Sequence, residues 1–138
     1  MKRGLWLTRD SVKDYFPLPK EIFSLGLRAA EIAIYAYLLF CVDRQTFQCW
    51  PSYRKIGEAV GLSPNTIRKH IRSLEERGLL ITEPTLVTTK DGKARNGNLR
   101  FTIRPIQAAL QQDYDRQMQK LNEDAARRKY ADFIENTG

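Results

Sequence analysis

The chain has 138 residues, with 23 Lys or Arg against 16 Asp or Glu, a net charge of +7, one histidine and two cysteines. That length suffices for one compact domain with an additional helix and excludes two full domains. Two cysteines and a single histidine exclude a disulfide scaffold and give no zinc-ligand spacing, and nothing at the amino terminus reads as a targeting signal.

Residues 1–18 carry Trp6, Tyr15 and Phe16 and are expected to form an N-terminal arm, or a strand packed on the domain or on a neighbour. After Pro17 and Pro19 a short helical turn leads to an apolar helix from about Leu27 to Asp43. Its run Ile32–Val42 is continuously apolar, but too short for a membrane span, which needs about 20 residues. Ile32, Tyr35, Ala36 and Leu39 form one stripe of that helix and Ile34, Leu38 and Cys41 another, so it is expected to be either covered twice within the domain or covered once by a partner subunit. Gln45–Trp50 has the aromatic and threonine content of a short strand, which Pro51 stops.

A pair of helices follows. Ser52 can cap the first, in which Ile56 and Val60 share a face and Gly57 allows close approach of a second helix; Gly61 and Leu62 make the turn. In the second helix, about 64–77, Ser63 is the cap, Pro64 sits at the first helical position and Gly78 is placed to close the end in a left-handed conformation. Ile67, Ile71 and Leu74 fall on one stripe; Asn65, Arg68, Lys69 and Arg72 lie on roughly the opposite side at about 100° per residue. One face is built to be buried and the other to meet phosphates and base edges. Two short helices in this arrangement make a helix-turn-helix.

Leu79–Thr89 and Leu99–Arg104 read as the strands of a wing, about 80–104, since Leu99, Phe101 and Ile103 alternate with Arg100, Thr102 and Arg104. The connection holds two turn signals, Asp91-Gly92 and Asn96-Gly97, either of which can close the hairpin. Lys90, Lys93, Arg95 and Arg100 make the tip basic. Beyond Pro105 a polar helix carries a thin apolar stripe, Ile106, Leu110, Tyr114, Met118, Leu121 and Ala125, suited to hold it to the domain or to pair two copies, although Gln117 and Asp124 interrupt a strict heptad.

Charge follows this division. Residues 51–78 carry six cations and three anions, and residues 79–104 five and two, so each segment has a surplus of three; residues 1–50 carry seven and five, and residues 105–138 five and six. The surplus sits mainly on the helix pair and wing. Cys41 and Cys49 read as reduced thiols of a cytoplasmic protein, and His70, among the arginines of the second helix, as a helix-surface residue rather than a base.

The run IGEAVGLSPNTIRKHIRSLEERGLL resembles the winged helix-turn-helix pattern of GntR-type transcriptional regulators and of the DNA-binding domains of plasmid and phage replication initiators or replisome organisers. The matching positions are Ile56, Gly57, Val60, Gly61, Ser63, Thr66, Ile67, Ile71, Leu74, Glu75, Gly78 and Leu79. With its flanks the resemblance covers about residues 19–106. It implies a mainly α, α+β fold: a winged helix-turn-helix over 19–104 and an additional C-terminal helix over 105–138 as a dimerisation element.

The expected function is binding of double-stranded DNA, by a homodimer, with helix 64–77 in the major groove, in transcription regulation or replication initiation. Asn65, Thr66, Arg68 and Lys69 would meet base edges; Arg54, Lys55, Ser63, Arg72 and the wing residues Lys90, Lys93, Arg95 and Arg100 would hold the backbone. No catalytic residues, metal or cofactor are expected, because no phosphate-binding glycine loop, nucleophile elbow or acid/base pair is present. Only 33 residues follow Pro105, short of the effector domain of GntR-type regulators, so no small-molecule effector is expected. The alternative is a winged helix used for protein contacts without DNA, which calls for an apolar or acidic outer face on helix 64–77.

Overall fold

The structure, a computed structural model, describes residues 15–137. Trp6 and most of the expected N-terminal arm lie outside the described residues. A 3-10 turn at Lys20–Ser24 leads into helix α1 (Ala29–Cys41), strand β1 (Gln48–Cys49), helix α2 (Tyr53–Val60) and helix α3 (Pro64–Glu76). Strands β2 (Leu80–Glu83), β3 (Leu86–Thr88), β4 (Ala94–Asn96) and β5 (Arg100–Ile103) follow, then helix α4 (Ile106–Thr137).

The ends of the helix pair are fixed locally. The Ser52 hydroxyl accepts from the Lys55 N–H at 3.0 Å, and the Ser63 hydroxyl from the Thr66 N–H at 3.3 Å. Between the helices, Gly61 takes a left-handed φ of 77°. At the end of α3, Gly78 (φ 76°) donates to the Glu75 carbonyl and Leu79 to the Leu74 carbonyl, at 3.0 and 3.1 Å, so the turn satisfies carbonyls the helix would leave unpaired.

The core is contiguous. Ile34, Tyr35 and Leu38 of α1 meet Ile56 of α2, Ile67, Ile71 and Leu74 of α3, and Leu80, Phe101 and Ile103 of the sheet, all buried. Full burial of such a side chain contributes about 1.5–3 kcal/mol, which makes this cluster the main reason the three helices hold one arrangement. Glu31 joins it as a buried carboxylate, 5% exposed, accepting from the Arg28 N–H at 3.0 Å and the Ser73 hydroxyl at 2.6 Å, and so ties the start of α1 to α3.

Helix α1 is covered by its own domain on one side only, so of the two coverings open to it the double one within the domain is not made: Ile34, Tyr35 and Leu38 point inward, Ile32 and Leu39 are half-buried, and Phe40 is 64% exposed. Its apolar character runs around the whole helix, and packing against α2 and α3 chooses the inner side. Strand β1 is also shorter than expected, because Asp43 makes a turn. Its carboxylate accepts from the Gln45 and Thr46 N–H groups at 2.7 and 3.3 Å, its carbonyl from Phe47 at 2.7 Å, and Phe47 stands at φ 56°.

The sheet order is β1-β5-β2, antiparallel throughout, with Cys49 opposite Phe101 and Leu80 opposite Ile103. The wing is not one regular hairpin. β3 and β4 form a separate two-stranded ribbon beyond β2 and β5, with Val87 opposite Arg95. Two residues, 84 and 85, join β2 to β3 while three, 97–99, join β4 to β5, so the return strand carries one extra residue, as in a bulge. Asp91-Gly92 closes the ribbon: the Gly92 N–H donates to Thr89 at 2.9 Å, with φ 79°, and Thr89 pairs with Lys93 at 2.8 Å. Asn96-Gly97 lies at the bulge, where the Gly97 N–H donates to the Thr85 carbonyl at 2.9 Å.

Helix α4 has 32 residues, about 48 Å of helix, and buries only Ile106 and Ala109. Asp113 pairs with Arg77 at 3.5 Å and the Gln112 amide donates to the Glu76 carbonyl, so the first two turns are fastened to the end of α3. Three helices, a small antiparallel sheet with a protruding ribbon, and the additional C-terminal helix make an α+β winged helix-turn-helix.

Candidate nucleic-acid interface

The outer side of α3 is a cationic surface. Asn65, Arg68, Lys69 and Arg72 are all exposed there, opposite Ile67, Ile71 and Leu74, which the core holds. The buried stripe sets the rotation of the helix about its axis and hence the direction of the cations. Thr66 is half-buried, and its hydroxyl lies 2.9 Å from that of Ser63. Ser63 therefore serves first as a cap, and the two hydroxyls are engaged with each other at the helix start.

Arg68 has a support that sequence spacing does not reveal. Its guanidinium lies 5.8 Å from the centre of the Tyr53 ring, and that ring stands 6.4 Å from the ring of Phe101 in the core. A line of contact thus runs from β5 through α2 to the cation on α3. Burial raises the Tyr53 hydroxyl above its usual pKa, the largest cause, so it stays a neutral phenol. The aromatic residue three before Ile56 was the available signal for this role.

The remaining sequence-predicted residues divide. Lys55 is exposed on the first turn of α2, beside a shallow recess of about 650 Å³ that Trp50 and Asn98 also line. Arg54 is exposed but pairs with Glu58 one turn on at 3.2 Å. Lys90, Lys93 and Arg95 are exposed on the β3–β4 ribbon and its turn, which carry them beyond the three-stranded sheet. Arg100 is the exception. It lies at the root of the wing on β5, opposite Glu83 in the register and paired with that carboxylate at 2.5 Å, so it is not part of the basic tip. Its alternation with Leu99 and Phe101 was legible, but its cross-strand acidic partner depended on a register the turn signals left open.

The wing is joined to α3 as well as to the sheet. The Thr82 hydroxyl of β2 donates to the Glu75 carboxylate of α3. At the wing tip, the Thr89 hydroxyl bonded to Asp91 holds that carboxyl below its usual pKa, so the turn keeps one negative charge among Lys90, Lys93 and Arg95.

No group of three or more His, Cys, Asp or Glu is placed to hold a metal among the described residues. Cys41 and Cys49 are free thiols, and burial, with a smaller effect of Cys41, pushes the Cys49 thiol up to about 12. No helix among the described residues is long and apolar enough to cross a membrane.

This geometry defines the class: a helix-turn-helix with a wing. In agreement, residues 25–80 match the family described as a helix-turn-helix domain. Among solved structures the chain is similar to a possible transcriptional regulator from Methanosarcina mazei Go1, at 16% identity and a TM-score of 0.49, covering 76% of this chain and 82% of that one. It is also similar to a cysteine-to-serine mutant of ZitR from Lactococcus lactis in complex with DNA (14% identity, TM-score 0.39, 88% and 75% covered). A third is a MarR-like transcriptional regulator from Thermotoga maritima (16% identity, TM-score 0.42, 91% and 92% covered). No curated protein matches the sequence.

Proposed function

We propose that this protein is a non-enzymatic, cytoplasmic transcriptional regulator that binds double-stranded DNA with α3 in the major groove and the β3–β4 ribbon along the flanking backbone. The observation that carries this reading is the outer face of α3, on which Asn65, Arg68, Lys69 and Arg72 are exposed together above a fully apolar inner face. A major groove about 12 Å wide admits one helix, and an arginine or lysine there can reach guanine acceptors while an asparagine pairs with adenine. Tyr53 orients Arg68 before DNA arrives, which lowers the cost of ordering that side chain on binding. Arg72, Lys55 and the ribbon cations hold phosphates. A winged helix serving only protein contacts would carry an apolar or acidic surface on α3, and this one is cationic.

Two copies bind as a homodimer through α4 in this reading. Tyr114, Met118 and Leu121, spaced four and three apart, are 58%, 39% and 61% exposed on one side of the helix. In this reading the same stripe of a second copy covers that side.

The test is a pair of substitutions read on duplex DNA. Arg68→Ala is expected to lose about 1–3 kcal/mol of discrimination between a preferred and a scrambled duplex, and Lys93→Ala to weaken both equally and flatten the salt dependence. Unchanged discrimination in Arg68→Ala would overturn the placement of α3.

A further inference from the structure

Helix α3 has two flanks. At 100° per residue, Arg68 and Glu75 lie on one side of the outer face, where they meet Tyr53 and Thr82 of the wing side. His70, Ser73 and Arg77 lie on the other, and they border a recess of about 470 Å³ completed by Arg28 and Glu31 from the start of α1 and by Lys69. Lys69 belongs to both surfaces: it is exposed on the outer face and lines the recess, so the recess opens at the edge of the face assigned to DNA.

The charges in the recess are not balanced against one another. Glu31 is its only anion, buried to 5% exposure, with one carboxylate oxygen taken by the Arg28 N–H at 3.0 Å and the other by the Ser73 hydroxyl at 2.6 Å. Arg77 is drawn away, donating to the Leu25 carbonyl and pairing with Asp113 at 3.5 Å. The side chains of Arg28 and Lys69 are left as exposed cations, and neither takes part in an ion pair within 4.0 Å among the described residues. His70, half-buried at the wall, adds ring N–H donor capacity.

A helix seated in a major groove has a sugar-phosphate backbone on each side. The wing flank covers one. We infer that the recess on the other flank receives a backbone phosphate of the duplex, with Arg28 and Lys69 as its charged ligands and His70 as a neighbouring donor. Arg28 is thus a DNA-binding residue contributed by the start of α1, some forty positions before the recognition helix, and the protein grips both walls of the groove it reads. This inference rests on the proposed function, since it places the phosphate by the docking of α3.

The experiment is a salt titration of duplex binding by the whole chain, wild type against Arg28→Ala and Arg28→Lys, on a preferred and a scrambled duplex. A lost phosphate contact lowers the slope of log K against log salt by about 0.9, equally on both duplexes, and Arg28→Lys recovers most of it because a lysine also neutralises a phosphate. Single methylphosphonate replacements along each strand then locate the contact. Wild type is expected to weaken at a position across the groove from the wing, and Arg28→Ala to be indifferent to that same replacement. Arg28→Ala should keep the wild-type melting temperature, because the Glu31 bond is made by the backbone N–H. An unchanged slope in Arg28→Ala, with wild type binding DNA normally, overturns the recess as a phosphate site and leaves the proposed function standing. Failure of wild type to bind any duplex overturns both, and binding of inorganic phosphate at millimolar concentration without a change in duplex slope assigns the recess to small anions instead.

Discussion

Gly57 is where the helix-turn-helix is packed most tightly, and replacing it tests that packing against intrinsic helix preference. Gly57 lies inside α2, where alanine is favoured over glycine by about 0.5–1 kcal/mol. The Gly57 carbonyl accepts from Gly61 and Leu62 at 2.8 and 3.0 Å, so the turn folds back onto it. A methyl group there would run into the Leu62 carbonyl oxygen and also reach Ile67 Cγ1 at 3.7 Å. The approach to that oxygen is on the order of 1 Å too close, measured against the roughly 3.3 Å at which carbon and carbonyl oxygen meet. The obstacle is backbone, in a residue whose N–H is bonded to the Gly57 carbonyl, so it cannot swing aside as a side chain would. We place the strain near the top of the usual range for overpacking, about 3 kcal/mol, and the net cost of Gly57→Ala at about 2 kcal/mol after the helix gain. At about 3–4 °C per kcal/mol for a chain of this size, the melting temperature should fall by about 6–8 °C. Ala59→Gly is the control, at an exposed position of the same helix, with a cost of about 1 kcal/mol and no clash. Thermal unfolding followed by circular dichroism measures both. A Gly57→Ala protein as stable as wild type, or more stable, refutes the close approach of α2 to the turn.

Other outcomes follow from single features. The Cys49 thiol, pushed up to about 12 from an ordinary value of 9.0, binds its proton more tightly when folded; its contribution to stability is complete below pH 9 and is lost as pH rises from there towards 12. Urea unfolding at pH 8 and pH 10 should show a smaller loss in Cys49→Ala than in wild type, and equal losses would contradict the burial of that thiol. Met118→Asp, on the exposed side of α4, should sediment as a monomer with an unaltered circular dichroism spectrum, whereas wild type sediments as a dimer; a monomeric wild type excludes the α4 pairing.

What was legible in the sequence was what is decided locally. Ser52, Ser63, Pro64 and Gly78 act on neighbours within five positions, so the bounds of α2 and α3 and the direction of the cationic face could be read from spacing alone. The ribbon could not, because its register depends on one extra residue between β4 and β5 that no local rule demands, and this is why Arg100 was expected at a tip when it sits against Glu83. Helix α1 is apolar all round, so only contact with α2 and α3 decides that Tyr35 turns in and Phe40 out. Tyr53 and Arg28 were missed as site residues for a related reason: their roles come from Arg68 and Lys69, fifteen and forty-one positions away.

Whether α3 reads duplex DNA is decided by selecting bound sites from a random pool of duplexes at moderate salt and sequencing them. Convergence on an inverted repeat is predicted, each half holding a guanine or adenine whose replacement weakens wild type but not Arg68→Ala or Asn65→Ala. Recovery of an unenriched pool whose binding disappears with added salt would contradict it, and would reduce the cationic face to a nonspecific hold on phosphate.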